Sequence, residues 1–178
     1  RDPRNVLISI KNHFLLKDFD EAKEFILKEK NWVGIIKNKD NIITDNQIPT
    51  LISSWKINYL SWKNKVNNYL LVKYEDLVKN PKKEFFRISH FLEKKMNTKF
   101  KENKILNSIK TSSFDNMQNL EKKGLFKEYV KSENNSKIKF FNLGPKNDYK
   151  NLLDKEILEE MNSIYKDQLE EFNYETKY

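Results

Sequence analysis

The sequence predicts an α/β fold built mostly from helices with one or a few parallel strands, and three observations carry that expectation. Apolar residues recur at spacings of three and four in several segments, the pattern of a helix with one buried face. One run, Tyr69-Leu70-Leu71-Val72-Lys73-Tyr74, is short, mostly apolar and flanked by helical segments, as expected of a buried parallel strand. The 178 residues, 38% of them apolar, suffice for one domain (1–178) with a sizeable core.

Taken in order, Asn5 is placed to cap a helix from Val6 to about Leu16. The stretch from Asn31 to Gln47 reads as a loop apart from the apolar piece Trp32-Val33-Gly34-Ile35-Ile36. In Ile48-Pro49-Thr50 the proline suits the first turn of a second helix. Along it Ile48, Leu51, Ile52, Trp55, Tyr59, Trp62 and Val66 form one apolar stripe. The strand Tyr69–Tyr74 follows; a lone parallel strand makes no sheet, so its ladder partners are expected from elsewhere in a larger domain. Asn80-Pro81 repeats the cap-then-proline signal, with Phe85, Ile88 and Leu92 on the buried face. Lys131 to Lys137, containing Ser-Glu-Asn-Asn-Ser, reads as a surface loop. A last helix from about Leu153 to Phe172 carries Leu153, Ile157, Met161, Ile164 and Leu169 on one side.

Composition removes several function classes. With no cysteine, disulfides, thiolate nucleophiles and Cys-based metal sites are excluded, and two histidines make a zinc site a poor expectation; no metal is expected. No apolar run approaches the roughly 20 residues of a membrane span, and no signal peptide is expected, which suits a cytoplasmic, reducing compartment. The net charge of +8 attracts anions in general, from nucleic acid to nucleotide phosphates and sulfated sugars. Lysines are scattered along the whole chain, so a solvated lysine-rich surface explains the same number. Gly34, Gly124 and Gly144 cannot build GxxxxGK[ST] or GxGxxG, so a nucleotide would be held by other means or by a loop outside these residues.

Four segments carry candidate chemistry. In Arg1-Asp2-Pro3-Arg4-Asn5-Val6-Leu7-Ile8-Ser9 a proline turn leads into a helix start, where backbone N–H groups, the helix dipole, Arg1, Arg4 and Ser9 suit an anion. Taken alone, the segment reads first as an ordinary helix start with a nearby arginine, a common arrangement. Tyr74-Glu75-Asp76 stands at the carboxyl end of the expected strand, where ligands of open α/β sheets sit, or else forms a plain strand-to-helix turn. Ser112-Ser113-Phe114 offers hydroxyls and a ring for a base, or a helix cap with a buried Phe. Around Asn142-Leu143-Gly144 the backbone can approach a phosphate closely, or a surface loop is pinned by Phe140 and Phe141.

None of these is specific alone, but their order is. Arg1 to Ser9 resembles the R-[ND]-[PA]-[KR]-[DN]-V-x-x-S segment of the sulfotransferases that use 3′-phosphoadenosine 5′-phosphosulfate (PAPS), of the cytosolic and bacterial type. Ser54-Trp55 with Trp62, Tyr74-Glu75-Asp76, Ser112-Ser113-Phe114 and Phe140 to Lys150 resemble that family's later segments, in the same order over nearly the whole chain. The resemblance implies a P-loop NTPase-like α/β fold, of which this chain is the C-terminal portion, and sulfuryl transfer from PAPS to a hydroxyl or amine. It implies that Arg1 and Ser9 bind the 3′-phosphate of PAPS or of adenosine 3′,5′-bisphosphate. Tyr74 and Ser112 would hydrogen-bond the adenine, Phe114 would pack on it, and Asn142, Leu143 and Gly144 would close over the 3′-phosphate.

The chain departs from the family where Asn142-Leu143 replaces Arg-Lys and where Asn147 and Tyr149 replace Gly and Trp of G-D-W-K; Lys146 is a candidate substitute for part of the lost charge. The family's base is a histidine upstream of the Arg1 segment, as is its 5′-phosphosulfate loop. His13 and His90 are therefore expected to be structural, and no catalytic residue is assigned here. Implied partners are a small-molecule or saccharide acceptor, met partly by Lys17 to Gln47, and no nucleic acid. Homodimer formation stays open: Lys150 and Glu159 keep the spacing of the family's K-x-x-x-T-V-x-x-x-E motif, but Asp154 and Lys155 stand where Thr-Val would be. The rival from another class is a non-catalytic basic helical module that binds a polyanion or nucleotide.

Overall fold

Asp2, not Asn5, starts the first helix of the computed structural model, which describes residues 1–33, 36–38, 41–43, 50–126, 130–131 and 137–176. Pro3 occupies the first helical position of α1 (Pro3–Phe14), and the Asp2 carboxylate accepts the Arg4 N–H at 2.9 Å. Proline pre-sets the first helical φ, so the cap falls before it and Asn5 lies inside the first turn. In α2 (Phe19–Leu27) Asp18 caps by accepting from Glu21 N–H.

A short ribbon follows. β1 (Trp32–Val33) is completed across the chain by β4 (Thr50–Leu51), and between them lie β2 (Ile36–Asn38) and β3 (Asn41–Ile43), which pair with each other. The helix expected from Pro49 therefore begins later, as α3 (Trp55–Lys65); Ile48 and Pro49 lie outside the described residues. The Ser54 hydroxyl caps it by accepting from Ile57 N–H at 3.3 Å, and a β-ribbon at Thr50–Leu51 removes the first turn of the expected apolar stripe.

The expected strand Tyr69–Tyr74 is not a strand. Tyr74 opens α4 (Tyr74–Lys79), and the residues before it belong to no ladder; Lys73 is extended at φ −85° and ψ 134°. Every strand pairing among the described residues is antiparallel, so none of the described strands offers this segment a parallel neighbour. A side chain substitutes: Arg87 Nη2 donates to the Leu71 carbonyl at 2.8 Å, and Arg87 is itself tied to the buried Glu84. Tyr69 and Leu71 are also exposed, where a buried parallel strand would hide both faces.

The remaining elements are α5 (Pro81–Met96), stopped by left-handed Asn97, α6 (Glu102–Thr111), α7 (Phe114–Lys122), and the β5 (Val130–Lys131) and β6 (Lys137–Ile138) ribbon. The body of the expected 131–137 loop, 132–136, lies outside the described residues. A 3-10 turn (Gly144–Lys146) leads to α8 (Tyr149–Leu152). The single last helix expected from the apolar spacing is two, α9 (Lys155–Ile164) and α10 (Lys166–Glu171), broken at Tyr165 (φ −105°, ψ 15°). Asn162 and Ser163, which compete with the backbone for hydrogen bonds, weaken the helix just before that break.

The chain divides into two compact units, Arg1–Asn5 with Leu70–Leu152, and Val6–Tyr69 with Leu153–Tyr178. In the second, Leu7, Ala22, Ile26, Ile157, Met161, Tyr165 and Leu169 form the apolar core. Trp55 packs edge-on against Tyr165 with centroids 5.3 Å apart, and Tyr59 against Phe172 at 4.8 Å. In the first, polar or charged side chains make up most of the buried set, Asp2, Arg4, Asn5, Glu84 and Asn147, beside Pro3, Ile105 and Tyr149. Buried polar groups are costly unless bonded, so this concentration marks a built arrangement.

Candidate functional site

The chain start is held by its own ion pair. Arg4 is fully buried and forks onto Asp2, Nε to Oδ1 at 2.9 Å and Nη2 to Oδ2 at 2.7 Å, while its guanidinium lies 4.0 Å over the Tyr149 ring. The expectation of two arginines and an open helix terminus facing one anion is thus corrected. Asp2 already supplies the negative charge at the positive end of the dipole, and Arg4 is committed to Asp2. Glu75 accepts the Asp2 N–H at 3.1 Å, so the acidic residue after Tyr74 also fixes this segment.

Arg1 meets a glycine turn and an aromatic ring. Its guanidinium lies 4.3 Å over the Tyr74 ring, and Nη2 donates to the carbonyls of Gly144 at 3.0 Å and Asn147 at 3.3 Å. Tyr74 comes from the first residue of α4 and not from a strand end. The Phe114 ring presses on Gly144: a Cβ there would sit 2.2 Å from Cε2, and Gly144 has a φ of +53°. Both facts require glycine. Arg1, Tyr74, Phe114 and Gly144 thus meet around one turn. The N–H groups of Lys146 and Asn147 close that turn onto the carbonyls of Leu143 and Gly144.

Asn142 and Leu143 precede the turn, Asn142 exposed and Leu143 half-buried, with the Asn142 carbonyl accepting from Gln118 Nε2 at 3.4 Å. Lys146 is exposed on the turn. Ser112 is exposed at the end of α6, and its hydroxyl donates to the Ser108 carbonyl at 2.7 Å, a local bond. Its neighbour Ser113 caps α7 through Asn116 N–H, the cap of the plain reading, while Phe114 is half-buried and not buried as that reading has it. Ser9 is half-buried on α1, within the second unit. His13 and His90 are exposed, His13 edge-on to Phe14 and His90 facing Glu93 at 3.8 Å.

The residues that hold the turn went unrecognised in the sequence. Gln118 Nε2 donates to the Phe141 carbonyl at 2.8 Å, and Glu121 accepts the N–H groups of Phe140 and Phe141 at 2.6 and 3.2 Å. Phe114, Gln118 and Glu121 stand at i, i+4 and i+7, one face of α7, a signal legible in the sequence. On the other side Asn5 accepts twice: its carbonyl from Asn147 Nδ2 at 2.8 Å and its Oδ1 from Tyr149 N–H at 2.9 Å.

The cluster offers a cation beside aromatic rings at a glycine turn, equipment for an anion attached to a planar ring system. A family model described as the sulfotransferase domain matches residues 1–173. No curated protein and no solved structure matches the chain.

Proposed function

The chain belongs to the sulfotransferase domain family, and from that premise we propose that it binds PAPS and its product adenosine 3′,5′-bisphosphate at the Arg1–Gly144 cluster. Arg1 holds the 3′-phosphate, a role that the resemblance gives to Ser9 as well; Tyr74 and Ser112 bond the adenine, Phe114 packs on it, and Asn142, Leu143 and Gly144 close over the phosphate. The observation that carries this is the meeting of Arg1, Tyr74, Phe114 and Gly144, residues drawn from distant parts of the sequence. The domain this implies is P-loop-like and of α/β class, in a cytoplasmic setting that suits a chain without cysteine. The donor supplies the sulfuryl group and a small-molecule or saccharide hydroxyl or amine receives it, with no metal. The residues here bind and orient the nucleotide. No catalytic residue is assigned among residues 1–178, so transfer of labelled sulfuryl by these residues alone would overturn that assignment.

Calorimetry tests the site. Wild-type protein should prefer adenosine 3′,5′-bisphosphate over adenosine 5′-monophosphate, and Arg1→Ala should weaken the bisphosphate roughly ten- to a hundredfold, the worth of charge-assisted bonds. Equal affinity for the two nucleotides in the wild type would sink the proposal.

A further inference from the structure

The Gly144–Lys146 turn is gripped from two sides. Upstream, Gln118 and Glu121 of α7 hold the backbone of Phe140 to Asn142. Downstream Asn5 grips it through both of its oxygens, at 2.8 Å to Asn147 Nδ2 and 2.9 Å to Tyr149 N–H, beside the Arg1 bonds to the Gly144 and Asn147 carbonyls. Asn5 is 9% exposed and Asn147 4%, so these bonds form where water competes little.

Asparagine is a weak helix former because its side chain competes for backbone groups, yet Asn5 sits inside the first turn of α1. Its Oδ1 turns outward to another segment's N–H, which gives that weak former a use. Its carbonyl has a second lone pair for Asn147 besides any helical bond. Asn5 follows directly on the buried Asp2–Arg4 pair, itself capped by the Tyr149 ring, so the start of α1 and the Asn147–Tyr149 segment are joined at three points. Asn5 thus ties the start of α1, next to Arg1, to the segment whose Gly144 and Asn147 carbonyls Arg1 bonds.

We infer that Asn5 is a positioning residue that, through Asn147 and Tyr149, holds the glycine turn at the spacing Arg1 needs to grasp a 3′-phosphate. This rests on the nucleotide reading above and adds to it a residue that touches no ligand. Its effect is expected first on the 3′-phosphate, because Asn5 bonds the segment after Gly144 while Tyr74 and Phe114 stand on α4 and α7.

The test is calorimetry of the purified protein with adenosine 3′,5′-bisphosphate and with adenosine 5′-monophosphate, together with melting curves. In Asn5→Ala and Asn147→Ala the preference for the bisphosphate should fall by about five- to tenfold, the scale of one buried hydrogen bond. Affinity for the monophosphate should hold. Asn5→Asp keeps an acceptor for Tyr149 N–H and should keep the preference within about twofold. An unchanged preference in both alanine variants overturns the inference. So does an equal loss for both nucleotides with a lowered melting temperature, or an Asn5→Asp variant as impaired as Asn5→Ala. Should the alanine variants not fold, amide exchange at Tyr149 in the wild type decides: slowing by the bisphosphate alone supports the inference, and equal slowing by both nucleotides overturns it. A wild type without any preference for the bisphosphate is a different result, which fells the nucleotide reading itself and the positioning role with it.

Discussion

Arg4 shows how a residue type that suits a ligand can be committed to the protein itself. Its guanidinium is wholly buried, its partner Asp2 nearly so, and the two share parallel bonds under the Tyr149 ring. Removing one member of such a pair leaves a charge stranded in a dry place, a larger penalty than the pair's own net worth. Arg4→Met should therefore lower the unfolding free energy by about 3–5 kcal/mol, read from urea unfolding, and adding Asp2→Asn should restore much of it. A variant Arg4→Met as stable as the wild type would contradict the desolvated geometry. The sequence made this pairing hard to see: Asp2 and Arg4 flank a proline, and both arginines of the segment look equally fit for phosphate. What separates them is burial, which depends on Tyr149 folding back over Arg4 from far along the chain.

At the scale of elements, what was legible followed local rules, and what was not needed partners. The serine cap before Phe114 and the proline at the start of α5 are local signals and stand where expected, whereas the helix start expected at Pro49 falls instead to the Ser54 cap. The segment before Tyr74 was misjudged because a strand exists only with a neighbour, and Arg87 instead of a ladder satisfies Leu71. The two-residue ribbons are too short to carry any period. Between α3 and α10 a surface cluster sets a pH response: Lys63 Nζ donates to Glu171 at 2.6 Å, and Tyr59 donates to the same carboxylate. The Lys63 bond, first, and the Tyr59 bond hold the Glu171 carboxyl below its ordinary 4.5. A depressed carboxyl stabilises the fold above its unfolded value and loses that contribution as pH falls through the lower folded one. The melting temperature of Glu171→Gln should thus trail the wild type at neutral pH, with the gap closing as pH drops below 4.5. A gap that persists in acid would show that the pair contributes nothing.

Over the whole molecule the question is whether the charge of +8 or the arginine cluster governs binding. A polyanion spread over scattered lysines releases many counterions, so its affinity should fall by about a thousandfold or more between 50 and 200 mM salt. A nucleotide gripped at one turn displaces few, and adenosine 3′,5′-bisphosphate should weaken only a few-fold over the same range. Titrating both ligands across salt distinguishes these, and a steep slope for the nucleotide would favour the diffuse surface. At this scale the family was legible in the sequence because the order of segments survives where single motifs do not discriminate.

One contact also constrains how this molecule can vary. Phe114 occupies the space a side chain at Gly144 would need, and the positive φ of Gly144 disfavours one in any case. Any side chain at 144 therefore requires the ring at 114 to move or be lost, so a replacement at one of these positions is expected to demand a compensating one at the other.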